Sequence, residues 1–430
     1  VTTRPKSREI FAADFKDRIV HHLVVRELEK IWEPKFIYDS YASRKGKGTH
    51  AAVKRLQRFM LKATRNQKTP AWYLKLDIRS FFMSIDRDIL FEMLMKAISG
   101  QNDANARALR QILQILIYHD PTQDYYFRGD PAILRAVPAH KSLFHVPGNK
   151  GLPIGNLTSQ FFANVYLNEL DQFVKHRLKC RHYVRYVDDF VLVASSPETL
   201  QQWRRRIEKF LDSRLSLSLK DSGVIRRVSA GADFLGYIVR PAYRLARRRV
   251  VNNLRSKLAA YEKKLVSQHR INGRLWFKIN VYGDIPVRLR QTLAAYLGHF
   301  KHANTHNLIT ALFQKYEWLD ALYFRNGTRI QDRFRCRGDF RTLRGQVTFF
   351  RSRIKDALLL FEVGRYFELY NRDAAVAARI MGIRCIDHRT GMRRAAGFPA
   401  RYKRVMLRKL LSAGQAVAVV AQGREGKYIK

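Results

Sequence analysis

Apolar residues recur at helical spacing from Phe11 to Trp32, at Phe11, Phe15, Ile19, Val20, Leu23, Leu28 and Ile31, and predict a helix there. A basic, glycine-rich stretch, Ser43 to His50, reads as a loop, and a second amphipathic helix is expected from about Ala51 to Thr64. Ala71 to Asp77 has strand character and ends on an acid. Asp86 is a good cap for a helix through Ile89, Leu90, Met93 and Leu94. Residues 119–150 carry Pro121, Gly129, Pro131, Pro138, Pro147 and Gly148 and read as loop. A long helix follows, from about Thr158 to Leu178, with Phe161, Phe162, Val165, Leu170 and Val174 as its stripe. His182–Val187 and Phe190–Ala194 read as two strands flanking Asp188-Asp189, a hairpin with acids at its turn. Ser196-Pro197-Glu198 starts another helix. Short strands are expected near 215–219, 224–228 and 234–239. From about Arg244 to Arg344 the sequence turns helical and strongly basic, and near Gln346 it changes again to a compact apolar segment.

Length and composition change this picture in one respect. The 430 residues are long enough for two or three domains, and 46% hydrophobic content supports folded cores. The charge is far from balanced: 81 Lys and Arg oppose 36 Asp and Glu, a formal net charge of +45. Self-repulsion of that size weakens a compact state unless polyanions offset it, so nucleic acid is the expected partner. An acidic membrane surface is the alternative, but no sustained amphipathic basic helix carries it. Cys180, Cys336 and Cys385 lie far apart and form neither a CxxC pair nor a zinc framework. A reduced, cytoplasmic setting is expected, and no signal peptide or long apolar span is visible.

The acids carry the candidate chemistry. Joining a nucleotide to a primer uses one metal to activate the 3′-hydroxyl and one to hold the leaving triphosphate. The ions sit about 3.5–4 Å apart and need carboxylates converging from adjacent strands. Asp77 at a strand end and Asp188-Asp189 on a hairpin turn are such a set, and hard oxygen ligands suit Mg²⁺. A lone Asp-Asp pair is usually a surface turn; Tyr186-Val-Asp-Asp189 between two apolar strands is more specific.

Tyr186-Val187-Asp188-Asp189 resembles the YxDD signature of reverse transcriptases, and Leu76-Asp-Ile-Arg-Ser-Phe-Phe82 resembles the motif that supplies their first metal ligand. The resemblance covers most of residues 1–300. It implies an α/β (α+β) right-hand polymerase with fingers, palm and helical thumb. It also implies two Mg²⁺ ions, with Mn²⁺ as a substitute, held by Asp77, Asp188, Asp189 and the backbone at Ile78. Implied partners are a template RNA, a cDNA or DNA primer and dNTPs. Arg44, Lys45 and Lys47 resemble the fingers segment that holds the triphosphate, alongside Arg79, Ser80 and Phe81; a solvated basic loop is the alternative. Phe82 matches the bulky residue beneath the sugar, which would select dNTPs by clashing with a 2′-hydroxyl; otherwise it is a core Phe. Lys220 stands where the family places a lysine assigned to protonating pyrophosphate. Phe234-Leu235-Gly236 resembles the primer-grip turn, where glycine permits close backbone approach.

Most reverse transcriptases have a Gln-Gly pair and then Ser-Pro ahead of the long palm helix. Here Ile154 replaces the Gln before Gly155, and Gln160 replaces the Pro. With Phe161 to Asn168 and with Tyr296-Leu-Gly-His299-Phe-Lys-His302, this resembles the reverse transcriptases of diversity-generating retroelements. Those enzymes copy a template-repeat RNA with errors concentrated at adenines, often beside a small basic accessory variability protein. An Ile can neither donate nor accept, so misaligned base pairs would be rejected less well; a packing role is the alternative. An antiphage or retron-like reverse transcriptase and an idle RNA-binding scaffold are the rival readings. His299, His302 and His306 lack a Cys or carboxylate to complete a metal site, which leaves nucleic-acid contact or packing.

The last segment is not polymerase-like. Leu358 to Tyr370, Asp373 to Ala378, Ala396 to Pro399, Leu410 to Ala418 and Gln422 resemble the N-terminal domain of the mismatch-repair family MutS. In that family an aromatic-x-Glu unit wedges at a mispair; here the unit is Tyr366-x-Glu368, with Arg365 where an acid is usual. The alternative is a small α/β module kept for binding nucleic acid or protein. Gly423 to Lys427 has the wrong spacing for a phosphate-binding loop. The expected domains are 1–243 fingers and palm, 244–346 thumb and 347–430 MutS-like module.

Overall fold

The computed structural model describes residues 8–100, 103–128, 131–220, 223–271, 274–279, 285–332, 343–387 and 392–421. Cys336, Gln422 and the 423–427 loop lie outside them. The chain divides into two compact units, Val1–Arg247 and Arg248–Lys430.

The first unit opens with α1 (Phe15–Trp32) and α2 (Thr49–Ala63), then β1 (Trp72–Asp77), the single turn α3 (Phe81–Ser84), α4 (Arg87–Ile98) and α5 (Ala104–Tyr118). After the short α6 (Pro131–Arg135) come α7 (Leu157–Gln172), β2 (Tyr183–Tyr186), β3 (Asp189–Ala194), α8 (Pro197–Leu215) and β4 (Ile225–Arg227). The four strands form one antiparallel sheet in the order β2-β3-β1-β4. A second sheet joins β5 (Ala232–Phe234), β6 (Tyr237–Val239) and β7 (Arg244–Ala246). The core runs through Leu74, Leu76, Phe161, Tyr166, Phe190 and Leu192.

Two expectations are corrected here. The first helix begins at Phe15, because the Asp14 backbone before it is extended and the backbone N–H of Phe11 is spent on the carbonyl of Ile154. Its buried face is His21, Val24, Val25, Leu28 and Trp32, while Phe15, Ile19 and Leu23 of the apolar stripe are exposed. Both faces carry apolar residues, so periodicity could not choose between them. Packing on α7 did, with His21 Nδ1 meeting Thr158 Oγ1 at 2.8 Å. The strand expected at 215–219 is a helix end followed by an extended turn. Ser216 takes the left-handed conformation and stops α8, and only Leu219 bridges, to Ile78.

The second unit holds α9 (Arg248–Leu265), β8 (Val266–Ile271), β9 (Arg274–Ile279), α10 (Ile285–Phe300), α11 (His306–Lys315), α12 (Trp318–Leu322), β10 (Tyr323–Asn326) and β11 (Arg329–Asp332). The segment expected to be helical therefore carries two hairpins. The first pair of strands brackets the sequence Asn272-Gly273; in the second, Asn326 ends β10 and the two-residue turn is Gly327-Thr328, with Gly327 at φ +58°. The remainder is α13 (Leu343–Arg353), β12 (Leu358–Val363), β13 (Tyr366–Tyr370), α14 (Asn371–Met381), β14 (Ala395–Pro399), α15 (Lys403–Ser412) and β15 (Val417–Val420). Its sheet runs β14-β13-β12-β15 with β15 parallel to β12, a small α/β module as expected.

A cut at 243/244 would strip β7 from β6, and a cut at 346/347 would split α13, whose Val347 shares a core with Phe361 and Tyr370. No described helix is long and apolar enough to cross a membrane.

Candidate active site

Antiparallel pairing of β1 and β3 sets Asp77 directly opposite Asp189. Tyr186 pairs with Asp189, so Val187 and Asp188 form a two-residue turn. Val187 sits at φ +54°, a position where such hairpins favour glycine and where a β-branched residue is strained. Beneath the turn lies a buried Arg185, 0% exposed like its partner Asp171 on α7. Arg185 binds Asp171 in a fork, Nε to Oδ1 at 2.8 Å and Nη2 to Oδ2 at 2.6 Å. Its Nη1 donates to the carbonyl of Val187 at 3.1 Å. Tyr183 adds a hydroxyl bond to Asp171 at 2.8 Å. Satisfied on all sides, this pair fixes the turn that carries the acids.

Two lysines face the carboxylates. Lys75, two residues before Asp77 and so on the same face of β1, places Nζ 3.0 Å from Asp189 Oδ2 and donates to the carbonyl of Asp233 at 2.9 Å. Lys220 Nζ lies 3.7 Å from Asp77 Oδ2, and its backbone N–H bonds the Asp77 carbonyl. The other oxygen of Asp189, Oδ1, is buried with no hydrogen-bond partner. Burial pushes the Asp189 carboxyl up to about 6; Lys75 pulls against this, and Asp77 and Asp188 add to it. Among the described residues no three such side chains are already gathered as an ion cage. The orphaned oxygen and the under-compensated negative charge nonetheless fit a hard divalent cation, and the donor set is all carboxylate.

The other expected site residues fall into two groups. Phe81 is in the core, and Phe82 beside it is half-buried, which leaves it the ring with a face to spare. Ile78 is buried; Arg79 is exposed, its N–H bonded to the Ser218 carbonyl, and Ser80 adopts φ +44°. Gln160 accepts from the Ser43 hydroxyl at 2.9 Å, so the basic loop and the start of α7 do meet. Tyr186 receives a bond from Thr49 at the head of α2 at 3.3 Å. Ile154 is half-buried, and its carbonyl accepts from Phe11 at 2.8 Å. That crossing needs Gly155: a Cβ there would lie 2.4 Å from the Phe11 carbonyl oxygen.

Three expected site residues are engaged within the fold. Arg44 forks onto Glu33 and caps the carbonyls of Ile37 and Ser40. Lys47 lies 3.4 Å over the Tyr38 ring and donates to its carbonyl. The loop folds on these two cations, and Lys45 is the exposed one. Phe234 is fully buried, and Leu235 (φ +50°) and Gly236 (φ +89°) form the turn that follows it. In the second unit, His299 lies in the last turn of α10 and the His302 N–H bonds its carbonyl. Tyr366 is exposed beside the β12–β13 turn, but Glu368 accepts from the Tyr370 hydroxyl and is already engaged.

Sequence reasoning missed Lys75, Asp171 and Arg185. A charged residue inside an apolar strand was the available signal for Arg185. Strand alternation from Asp77 was the signal for Lys75.

Comparison with known proteins sets this geometry in context. The family model "Reverse transcriptase (RNA-dependent DNA polymerase)" matches residues 4–239, and that for MutS domain I matches residues 342–429. Protein YkfC of Escherichia coli is 24% identical over 65% of this chain and 74% of its own length. The group II intron-encoded protein LtrA of Lactococcus lactis is 24% identical over 55% of this chain, which spans 45% of it. A MutS of Christiangramia forsetii is 38% identical over 20% of this chain and 10% of its own length. Among solved structures, telomerase from Candida tropicalis aligns with 69% of this chain and 47% of its own, at 12% identity and a TM-score of 0.37.

Proposed function

We propose, from the premise that this chain belongs to the reverse transcriptase (RNA-dependent DNA polymerase) family, that it is the error-prone polymerase of a diversity-generating retroelement. In this reading it copies a template-repeat RNA into cDNA with errors concentrated at template adenines. The observation that carries the polymerase reading is the register of Asp77 against Asp189, with Asp188 on the adjoining turn and one oxygen of Asp189 buried without a hydrogen-bond partner. Asp77, Asp188 and Asp189 would hold two Mg²⁺ ions, which supply an activated 3′-hydroxyl and neutralise the leaving triphosphate. Lys45 supplies positive charge for the triphosphate, and Phe82 stands against a 2′-hydroxyl. Lys220, 3.7 Å from Asp77, is close enough to the acids to give pyrophosphate a proton.

Ile154 supports the finer reading. A polar contact to a nascent base pair typically discriminates by about 1–3 kcal/mol, and an alkyl side chain forfeits it. Residues 342–429 add a module in which Tyr366 offers a stacking face to nucleic acid.

Two measurements test this. Asp188→Ala should abolish Mg²⁺-dependent primer extension while RNA binding stays near wild type; substantial residual synthesis would place the site elsewhere. In deep-sequenced cDNA from one RNA, Ile154→Gln should lower errors opposite adenine more than it lowers yield. Low, even error at all four bases in the wild type would reject the mutagenic reading and favour a defence-system enzyme.

A further inference from the structure

The segment between α5 and α7 presents aromatic rings to solvent. Tyr126 is 93% exposed, Tyr125 47%, and Phe127 and Phe144 37% each. Tyr125 and Phe144 meet edge to face at 5.4 Å, and Phe144 lies 5.9 Å from Phe11. The segment that carries Phe144 is held in place. Arg87 donates from its backbone to Asn149 and from Nε to the Gly151 carbonyl, and Glu9 accepts from the N–H of Leu143. Phe11 in turn bonds Ile154, so the cluster is tied by one hydrogen bond to the segment leading into α7.

The surrounding charge is mainly positive. The described residues from Asp124 to Lys150 include Arg128, Arg135, Lys141 and Lys150 with His140 and His145 against one carboxylate, Asp124; Asp130 lies outside the described residues. The nearby Asp120 turns its carboxylate inward to Thr122, at 3.0 Å from the N–H and 2.8 Å from the hydroxyl. A bare apolar patch would suit a protein. Exposed rings interleaved with cations suit bases and phosphates together, and only a single strand has base faces free to stack.

We propose that this surface, centred on Tyr125, Tyr126 and Phe144 with Arg128, binds single-stranded RNA. Its place in the reaction, as the holder of unpaired template, rests on the polymerase reading above; the binding itself does not. Rings stack on successive bases and the cations track the backbone. The tie from Phe11 to Ile154 keeps the strand in register with the segment that leads into α7.

The test is fluorescence anisotropy on the full chain with three probes of one sequence, about 15 nucleotides long: single-stranded RNA, single-stranded DNA and an RNA–DNA duplex. The paired change Tyr125→Ser and Tyr126→Ser should weaken single-stranded RNA by about tenfold or more and the duplex by less than about twofold. Tyr126→Ser alone, at a side chain almost wholly in solvent, should give part of that loss with no change in thermal melting. Arg128→Glu should reduce the salt dependence of binding. Equal losses on RNA and DNA single strands would still support the stacking surface, since both expose base faces. Unchanged RNA affinity, or an equal loss on duplex, overturns the proposal. So does a variant that keeps RNA affinity but loses self-association, which would make the patch a protein interface. A wild type that binds the RNA through these rings but extends no primer would reject the polymerase reading and leave this surface standing.

Discussion

Arg185 holds Val187: its Nη1 donates to the Val187 carbonyl at 3.1 Å while the rest of the guanidinium is locked onto Asp171. Among the described residues Val187 is the β-branched one with positive φ. A strained turn persists only where its surroundings over-determine it, and here the restraint is a buried ion pair. The acids' geometry is therefore set from below, by a pair that never meets substrate.

Removing one member of that pair should cost roughly 3–5 kcal/mol, because the other is left charged and buried. Asp171→Asn and Arg185→Met, each made alone, should lower the urea midpoint by a corresponding amount. The paired change Asp171→Leu with Arg185→Met should recover much of the stability, since an apolar pair of similar volume is often neutral. It should not recover primer extension, because nothing then holds the Val187 carbonyl. Full recovery of kcat in the paired variant would show that the ion pair serves folding alone.

The Asp189 carboxyl sets a pH dependence. Its value in the folded chain is raised from the ordinary 3.8 to about 6, mainly by burial. The folded state thus keeps a proton that the unfolded state has released, and folding stability falls as pH rises across that window. In metal-free buffer the wild type should lose stability between about pH 4 and pH 6 relative to Asp189→Asn, which carries no titrating carboxyl there. Added Mg²⁺ should stabilise the wild type increasingly above pH 6. Parallel stability profiles for the two proteins would remove the case for a buried, under-compensated acid.

Phe82 is half-buried against the core while Phe81 is wholly inside. Phe82→Ala should raise incorporation of ribonucleotides relative to deoxynucleotides by about tenfold or more with modest loss of stability. Phe81→Ala should mainly destabilise, by about 3–5 kcal/mol. Single-nucleotide extension with each dNTP and rNTP measures the first effect. An unchanged preference would make Phe82 a packing residue.

Removing the MutS-like module at the α13 boundary, before Leu343, should leave homopolymer-primed synthesis intact and impair synthesis on the native RNA. A cut at residue 347 should instead give a less soluble protein, because it leaves the first four residues of α13, Leu343 among them, without the β12 core they cover. A soluble but inactive chain after the earlier cut would make the module part of the polymerase fold.

The sequence by itself determined where the candidate acids stand. Asp77, Asp188 and Asp189 were legible because a strand's period of two and a tight acidic turn are local features, written in consecutive residues. The Asp86 and Ser196 caps were legible for the same reason, as was the texture change near Gln346. The Asn-Gly dipeptides in the sequence of the basic segment were also written locally, but its overall helical character hid the two hairpins. What only the tertiary structure decided depends on which surfaces meet. The first helix carries apolar residues all round, and contact with α7, not periodicity, chose Val24 and Leu28 over Ile19 and Leu23. Arg44 and Lys47 look like free cations in a glycine-rich loop until Glu33, Tyr38 and backbone carbonyls consume them. The union of Arg185 with Asp171, and of Lys75 with Asp189, joins residues 14 and 114 positions apart in the chain. Hydrogen bonds at that separation leave no period in the sequence, because each partner is placed by the element it belongs to.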